Sequence, residues 1–297
     1  MTSEHPLIEF DATFYRTLYP DVVHLDDSSL RVHFETIGER EGRVCHRLAT
    51  RQGFLEHVPA TADVLEIGPF HAPSLTCANV RYFDLLERED LRRRAIAHSL
   101  PPEGVPQIDF SHPEGDLSGI DAKFDIVFSS HAIEHQPDLA FHLQQVSGLL
   151  KPGGCYMVAV PDKRYCFDQA IAESSIADVL AAHAEERRRH TLRNLIDSRA
   201  LGTHNDCTRH WAGDHGSMDF DQSVRLIGLA RAEMERSGGA YIDVHAWRFT
   251  PRGFSLIHRY LRSLGLSPFR GERVFSTCRN TAEFMAILET RPPNGAC

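Results

Sequence analysis

"VLEIGPFHAPSL", residues 64 to 75, decides how the rest of the chain is read. The apolar run from Val64 to Ile67 is broken by one acid, Glu66, and stopped by Gly68-Pro69. That is the pattern of a buried parallel strand delivering a loop to a ligand. A loop built for a dinucleotide would run G-x-G-x-x-G, whereas only Gly68 stands here, with Pro69, Phe70, His71 and Ala72 behind it. Which ligand such a loop holds depends on the elements downstream of it.

Downstream, strands and helices alternate. The pattern predicts strands at 62 to 67, 80 to 84, about 106 to 110, 124 to 129 and 154 to 160, with helices at about 88 to 98 and 138 to 150. Lys151-Pro152-Gly153-Gly154 halts the second helix. Such alternation implies a parallel sheet with right-handed crossovers, whose ligands sit at the carboxyl ends of the strands. After Pro161 the rhythm stops for roughly 85 residues, a length that calls for a job of its own. This insert has helical stretches at about 175 to 200 and 219 to 237, with a His-rich loop between them. The rhythm resumes at Thr250-Pro251, an N-cap and then proline, with a helix to about Leu264 and two strands, about 270 to 276 and 282 to 289, paired like a hairpin. Upstream, residues 8 to 46 have helical apolar spacing (Phe10, Phe14, Leu18, then Leu30, His33, Phe34, Ile37). The expected organisation is a small helical module at 1–47, a core at 48–162 and 249–297, and a substrate-side insert or lid at 163–248.

Composition narrows the function classes. With 297 residues, 42% of them hydrophobic and 25% charged, the chain has the makeup of an ordinary globular protein. No apolar run is long enough for a membrane helix, and Glu4, His5, Glu9, Asp11 and Arg16 interrupt the first 20 residues, so a cytoplasmic location is expected. Seven scattered cysteines without a C-x-x-C pair read as reduced thiols rather than a disulfide framework or thiolate zinc site. The net charge of -9 opposes nucleic acid as a partner, and Arg92-Arg93-Arg94 and Arg187-Arg188-Arg189 read as solvated helix faces.

Four elements in order resemble class I S-adenosylmethionine-dependent methyltransferases: V-L-E-I-G at 64 to 68, Y-F-D at 82 to 84, "FDIVFSSHAIEHQPD" at 124 to 138 and "LLKPGGCYMVAVP" at 149 to 161. The resemblance covers about 62 to 162 and 250 to 290. It implies an α/β, Rossmann-like sheet, mostly parallel with a terminal antiparallel strand, and S-adenosyl-L-methionine as cofactor. It also implies that Glu66 organises the cofactor's amino-acid end through the loop, and that Ser130 and His131 lie beneath the methionine part. Gly68 would let the backbone pass close to the cofactor, with Pro69 and Phe70 continuing the loop. Lacking a pyrophosphate, this cofactor needs no full glycine cradle. Asp84, with Leu85 beside it, would accept from both ribose hydroxyls. Asp109 and Phe110 would meet the adenine amino group and face, with Asp116 as a rival. The N-terminal stretch, through Phe10, Asp11, Phe14, Tyr15, Tyr19 to Val22 and Gly38 to Arg43, resembles a short repeat found beside glycosyltransferases and other glycan enzymes.

Acceptor handling is expected from His135 and from the insert, where "THNDCTRHWAGDHG", 203 to 216, concentrates His204, Asp206, His210, Asp214 and His215, and "YIDVHAWRFTP" adds Asp243 and His245. Imidazoles suit base chemistry near neutral pH. The spacing matches no standard metal motif, so no metal is expected, a His/Asp-held divalent ion being the alternative. The expected reaction is O-methylation of a saccharide or other small polar metabolite. The alternatives are N-methylation, a peptide-modifying enzyme, or a noncatalytic scaffold.

Overall fold

The structure, a computed structural model, describes residues 7–77 and 79–290. Seven strands form one sheet: β1 (Val64–Ile67), β2 (Val80–Asp84), β3 (Phe110–Ser111), β4 (Phe124–Ser130), β5 (Leu150–Pro161), β6 (Gly271–Val274) and β7 (Glu283–Glu289), in the order β3-β2-β1-β4-β5-β7-β6. β1 to β5 are mutually parallel, and β7 runs antiparallel to both β5 and β6. The expected Rossmann-like sheet is therefore present. Strand order reverses beside β1, which pairs with β2 on one side and β4 on the other, so a crevice opens at their carboxyl ends.

Both faces of the sheet are covered, and the strand sequences say why. In β5, Tyr156, Val158 and Val160 join the larger apolar cluster, while Cys155, Met157 and Ala159 join a second one on the opposite face. Period-two alternation of apolar residues on both faces requires helices on both sides. β5 begins earlier than its apolar run: Lys151-Pro152-Gly153-Gly154 pairs irregularly with β4, the register shifting between Phe124 and Ile126. A Cβ on Gly154 would stand 2.7 Å from the Asp125 carbonyl oxygen, so this bulge needs glycine.

The helices are α1 (Ala12–Leu18), α2 (Asp27–His33), α3 (Glu39–Glu41), α4 (Arg51–Leu55), α5 (Arg88–Ala97), α6 (Leu139–Leu149), α7 (Ile176–Ala184), α8 (Leu192–Ala200), α9 (Cys207–Trp211), α10 (Phe220–Arg236) and α11 (Pro251–Ser263). The single helical stretch expected at 175 to 200 is two helices. Ser175 with Asp178, and Thr191 with Asn194, form reciprocal capping boxes that start α7 and α8 separately. No helix among the described residues is long and apolar enough to cross a membrane.

The N-terminal helices differ from their expected apolar face. Tyr15, Leu30 and Phe34 are buried, whereas Leu18 and Ile37 are exposed. A π-turn over Phe34–Gly38 adds a residue to the helical turn and rotates Ile37 outward. This region packs onto the open edge of the sheet: Glu9 N–H donates to the Val274 carbonyl of β6 at 2.7 Å, Cys45 Sγ meets Ser276 Oγ at 3.3 Å, and Arg252 pairs with Glu39 at 2.7 Å.

Candidate active site

A cavity of about 560 Å³ opens at the carboxyl ends of β1, β2 and β4, lined by Gly68, Phe70, Asp84, Leu85, His131 and His135 among others. The volume lies inside the roughly 300–1,000 Å³ usual for small-molecule sites. Its rim is built from unusual backbone: Gly68 (φ 73), Phe70 (φ 44), Gly115 (φ 73) and His131 (φ 51) are all left-handed. Such geometry in Phe70 and His131 costs about 1–3 kcal/mol each and persists where the surroundings enforce it. Gly68 N–H is tied to the Phe83 carbonyl at 2.8 Å, and a Cβ here would come within 3.3 Å of Ala132, so the chain passes close between two strand ends.

Two buried carboxylates organise this end. Asp84, 8% exposed, accepts from Leu85 N–H at 2.7 Å and Phe70 N–H at 3.2 Å, while the residue itself lines the cavity. Burial pushes its carboxyl above the ordinary range, and the two N–H donors partly offset that. Two of about four lone-pair sites remain for a ligand. Glu66, 2% exposed, spends its oxygens on Ser74 N–H (2.7 Å) and Leu75 N–H (3.0 Å) and is absent from the cavity wall. It braces the loop instead.

The polar side of the cavity carries His131, His135, Arg94, Tyr241 and Asp243. Asp243 lies 2.9 Å from His135 Nδ1 and 2.6 Å from Arg94 Nη2. Burial works to raise the Asp243 pKa, but His135 and Arg94 outweigh it and hold the carboxyl well below the usual range. For His135, burial opposes the charged form, yet Asp243, Glu134 and Asp168 together raise its pKa. His131 Nε2 meets Glu283 Oε2 at 2.8 Å. Leu85, Leu91, Leu100 and Leu117 supply apolar wall opposite.

Several expected site residues lie elsewhere. Pro69 does not line the cavity. Ser130 is also absent from the lining, its hydroxyl taken by Arg51 at 3.0 Å. Asp109 accepts Tyr82 N–H at 2.8 Å along the sheet edge, and Phe110 lies 5.6 Å from the Arg81 guanidinium; neither reaches the cavity, because β3 ends at the sheet's rim. His204, Asp206, His210 and His215 are also away from it. Asp206 caps α9, His204 and His210 stack at 4.1 Å, His210 and His215 meet at 3.0 Å, and Trp211 anchors α9 to the Thr281 carbonyl at 2.9 Å. His245 is buried behind His135, ring to ring at 4.7 Å. Sequence reasoning missed Arg94, Tyr241 and Glu134. Arg94 was hidden in a charge run, and Glu134 was in plain view inside "AIEHQPD" without a pattern to mark it.

A doubly wound sheet with a cavity at its switch point and an acid closing β2 is the arrangement in which folds of this kind hold nucleoside cofactors. A family model described as a methyltransferase domain matches residues 37–205, more than half of the chain. The chain belongs to that family, which makes S-adenosylmethionine its cofactor and methyl transfer its class of reaction. Among solved structures it is similar to DhpI bound to S-adenosylhomocysteine (15% identity, 99% of this chain and 100% of that one, TM-score 0.39). It is also similar to a Thermotoga maritima methyltransferase described as a candidate histamine N-methyltransferase (11% identity, 89% and 95%, TM-score 0.36). A third is a Nostoc punctiforme protein described provisionally as an O-methyltransferase (13% identity, 80% of this chain, TM-score 0.37), of whose length the chain spans 55%. At such identities and TM-scores these likenesses decide nothing about the acceptor. No curated protein matches.

Proposed function

We propose that the cavity holds S-adenosylmethionine and that the chain methylates a hydroxyl of a saccharide or another small polar metabolite. The observation that carries this reading is the buried Asp84 carboxylate in the cavity wall beside the close-approach residue Gly68. The spare lone pairs of Asp84 suit two ribose hydroxyls. The backbone at Gly68 to Phe70 leaves room for the rest of the cofactor. Leu85, Leu100 and Leu117 give a base an apolar slot.

The bound cofactor supplies an already activated methyl group, so the chain's own task is mainly alignment. The wall of His131, His135, Tyr241 and Asp243 suits an acceptor rich in hydroxyls better than an apolar one. His131, exposed and paired with Glu283 at 2.8 Å, is suited to take the proton that a hydroxyl releases, the carboxylate stabilising the resulting imidazolium. The insert's His204, His210 and His215 have no part in this reading. The likeness of residues 10 to 43 to a repeat beside glycan enzymes favours a sugar as acceptor.

Calorimetric titration with S-adenosylhomocysteine tests the cofactor end. Saturable binding is expected for the wild type, and Asp84→Asn should weaken it by about 10- to 100-fold, the usual scale for losing a charged hydrogen-bond acceptor. Equal affinity in the variant would remove Asp84 from the site. Incubation with labelled cofactor and a saccharide panel, read by mass spectrometry, tests the acceptor.

A further inference from the structure

Behind the cavity wall lies a group of side chains that neither cofactor binding nor proton removal uses. Glu134 is 0% exposed, and neither of its carboxylate oxygens has a hydrogen-bond partner among the described residues. Two imidazoles face it: His135 Nε2 and His245 Nε2 each stand 3.7 Å from Glu134 Oε1. The donor atoms of all three residues lie within 4.8 Å of one another, the one such group among the described residues.

We propose that Glu134, His135 and His245 bind one divalent first-row transition metal ion, zinc foremost, which clamps the chain returning from the insert to the turn after β4. Three observations carry this. First, a carboxylate stands on the far side of each imidazole: His245 Nδ1 hydrogen-bonds Asp168 Oδ2 at 2.6 Å, and His135 Nδ1 lies 2.9 Å from Asp243 Oδ1 as an ion pair outside hydrogen-bond geometry. Metal-ligating histidines have a carboxylate, a backbone carbonyl or a water at the second nitrogen, which fixes the ring and leaves Nε2 as the ligand. Second, the outer acids are already paired with cations, Asp243 with Arg94 at 2.6 Å and Asp168 with Arg248 at 3.4 Å. The buried Glu134 carboxylate is therefore the one whose charge lacks a close guanidinium. An isolated buried carboxylate is costly unless a cation meets it.

Third, the spacing favours an ion over shared protons. An imidazolium would draw the carboxylate to hydrogen-bond length, about 2.7–2.9 Å. Donors on one tetrahedral ion with bonds of about 2.0–2.1 Å stand roughly 3.3 Å apart. The two 3.7 Å separations lie nearer the second case, and the three donor atoms, all within 4.8 Å of one another, would draw together around the ion. Two imidazoles and one carboxylate suit zinc, cobalt, nickel or iron(II) and disfavour magnesium and calcium, which take oxygen ligands. Backbone bonds join the same two segments, Ala246 N–H and Trp247 N–H donating to the Glu134 carbonyl at 2.7 and 3.1 Å. His135 belongs to both the triad and the cavity wall, so the ion would sit one side chain from the cavity.

The test uses the full-length protein, stripped with chelator and titrated with Zn²⁺ by calorimetry and with Co²⁺ by visible absorption. One equivalent of Zn²⁺ per chain, a tetrahedral Co²⁺ band and no response to Mg²⁺ are expected. Glu134→Gln and His245→Gln should abolish the Co²⁺ band with circular dichroism unchanged. Should either fail to fold, Asp168→Asn, which leaves all three ligands in place, should weaken Zn²⁺ by about 10- to 100-fold. His215→Ala, in the separate surface histidine stack, should leave the stoichiometry as it was. No saturable Zn²⁺ binding by the wild type, or binding that survives Glu134→Gln and disappears in His215→Ala, overturns the proposal. Because metal alone is the probe, that result would leave the cofactor assignment standing.

Discussion

Glu66 and Asp84 end neighbouring strands with the same functional group, and the backbone around each decides its use. Ser74 and Leu75 turn their N–H groups onto Glu66 and absorb it into the loop, while Asp84 receives one N–H per oxygen and keeps capacity facing the cavity. That Gly68 and Asp84 line the cavity was legible because a glycine break and a strand end mark them. Glu134 and Tyr241 were not, since nothing local distinguishes a glutamate or tyrosine that a fold later buries. His142 is a further case. It is 3% exposed, its Nε2 meets the Tyr156 hydroxyl at 3.0 Å, and burial alone pushes its pKa from 6.5 down to about 3. The unfolded chain therefore takes up a proton that the folded chain refuses. Stability from this group is complete above 6.5 and is lost as pH falls towards about 3. Urea-unfolding midpoints should fall on acidification through this window, and His142→Asn should flatten that dependence; an identical slope in the variant would dismiss His142 as a source.

Among elements, β1, β4, β5 and β7 were readable because strands buried on both faces read as nearly continuous apolar runs, and β2 because aromatic and β-branched residues dominate it. β3 shrank to Phe110–Ser111, and the 175 to 200 helix split, because local capping by Thr191 outcompetes a continuing apolar pattern. The joint between α11 and β6 could not be read at all. Glu272 on β6 accepts from Ser255 at 2.6 Å and Arg259 at 3.0 Å and also pairs with His258, all three on α11. Burial works to raise its pKa, yet these partners hold it below the ordinary 4.5. Its contribution is thus present above that value and lost as pH falls through the lowered one. Glu272→Gln should cost about 1–3 kcal/mol at neutral pH by leaving its partners unpaired. Thermal melting measures this, and an unchanged transition temperature would mean the joint is idle.

For the molecule as a whole, the N-terminal helices are part of the main apolar cluster. Ile8, Tyr15, Val22, Leu30 and Phe34 share it with strand residues of β4 and β5, and Glu9 occupies the free edge of β6. Each large side chain buried there contributes about 1.5–3 kcal/mol. Deleting residues 1 to 42 should therefore remove cooperative thermal unfolding rather than trim an appendage. A truncated chain melting sharply at the wild-type temperature would contradict this.

Sequence alone determined the sheet and the acid at the end of β2, because these arise from periodicity and from residues adjacent in the chain, while the cofactor class came from the resemblance of four short motifs to a known family. Only the tertiary structure decided which histidines meet. The dense run at 203 to 216 folded onto itself, while His135 and His245, 110 residues apart, were brought ring to ring beside a buried glutamate. Side-chain density is a local property, whereas a site is made by segments that meet only when the core closes.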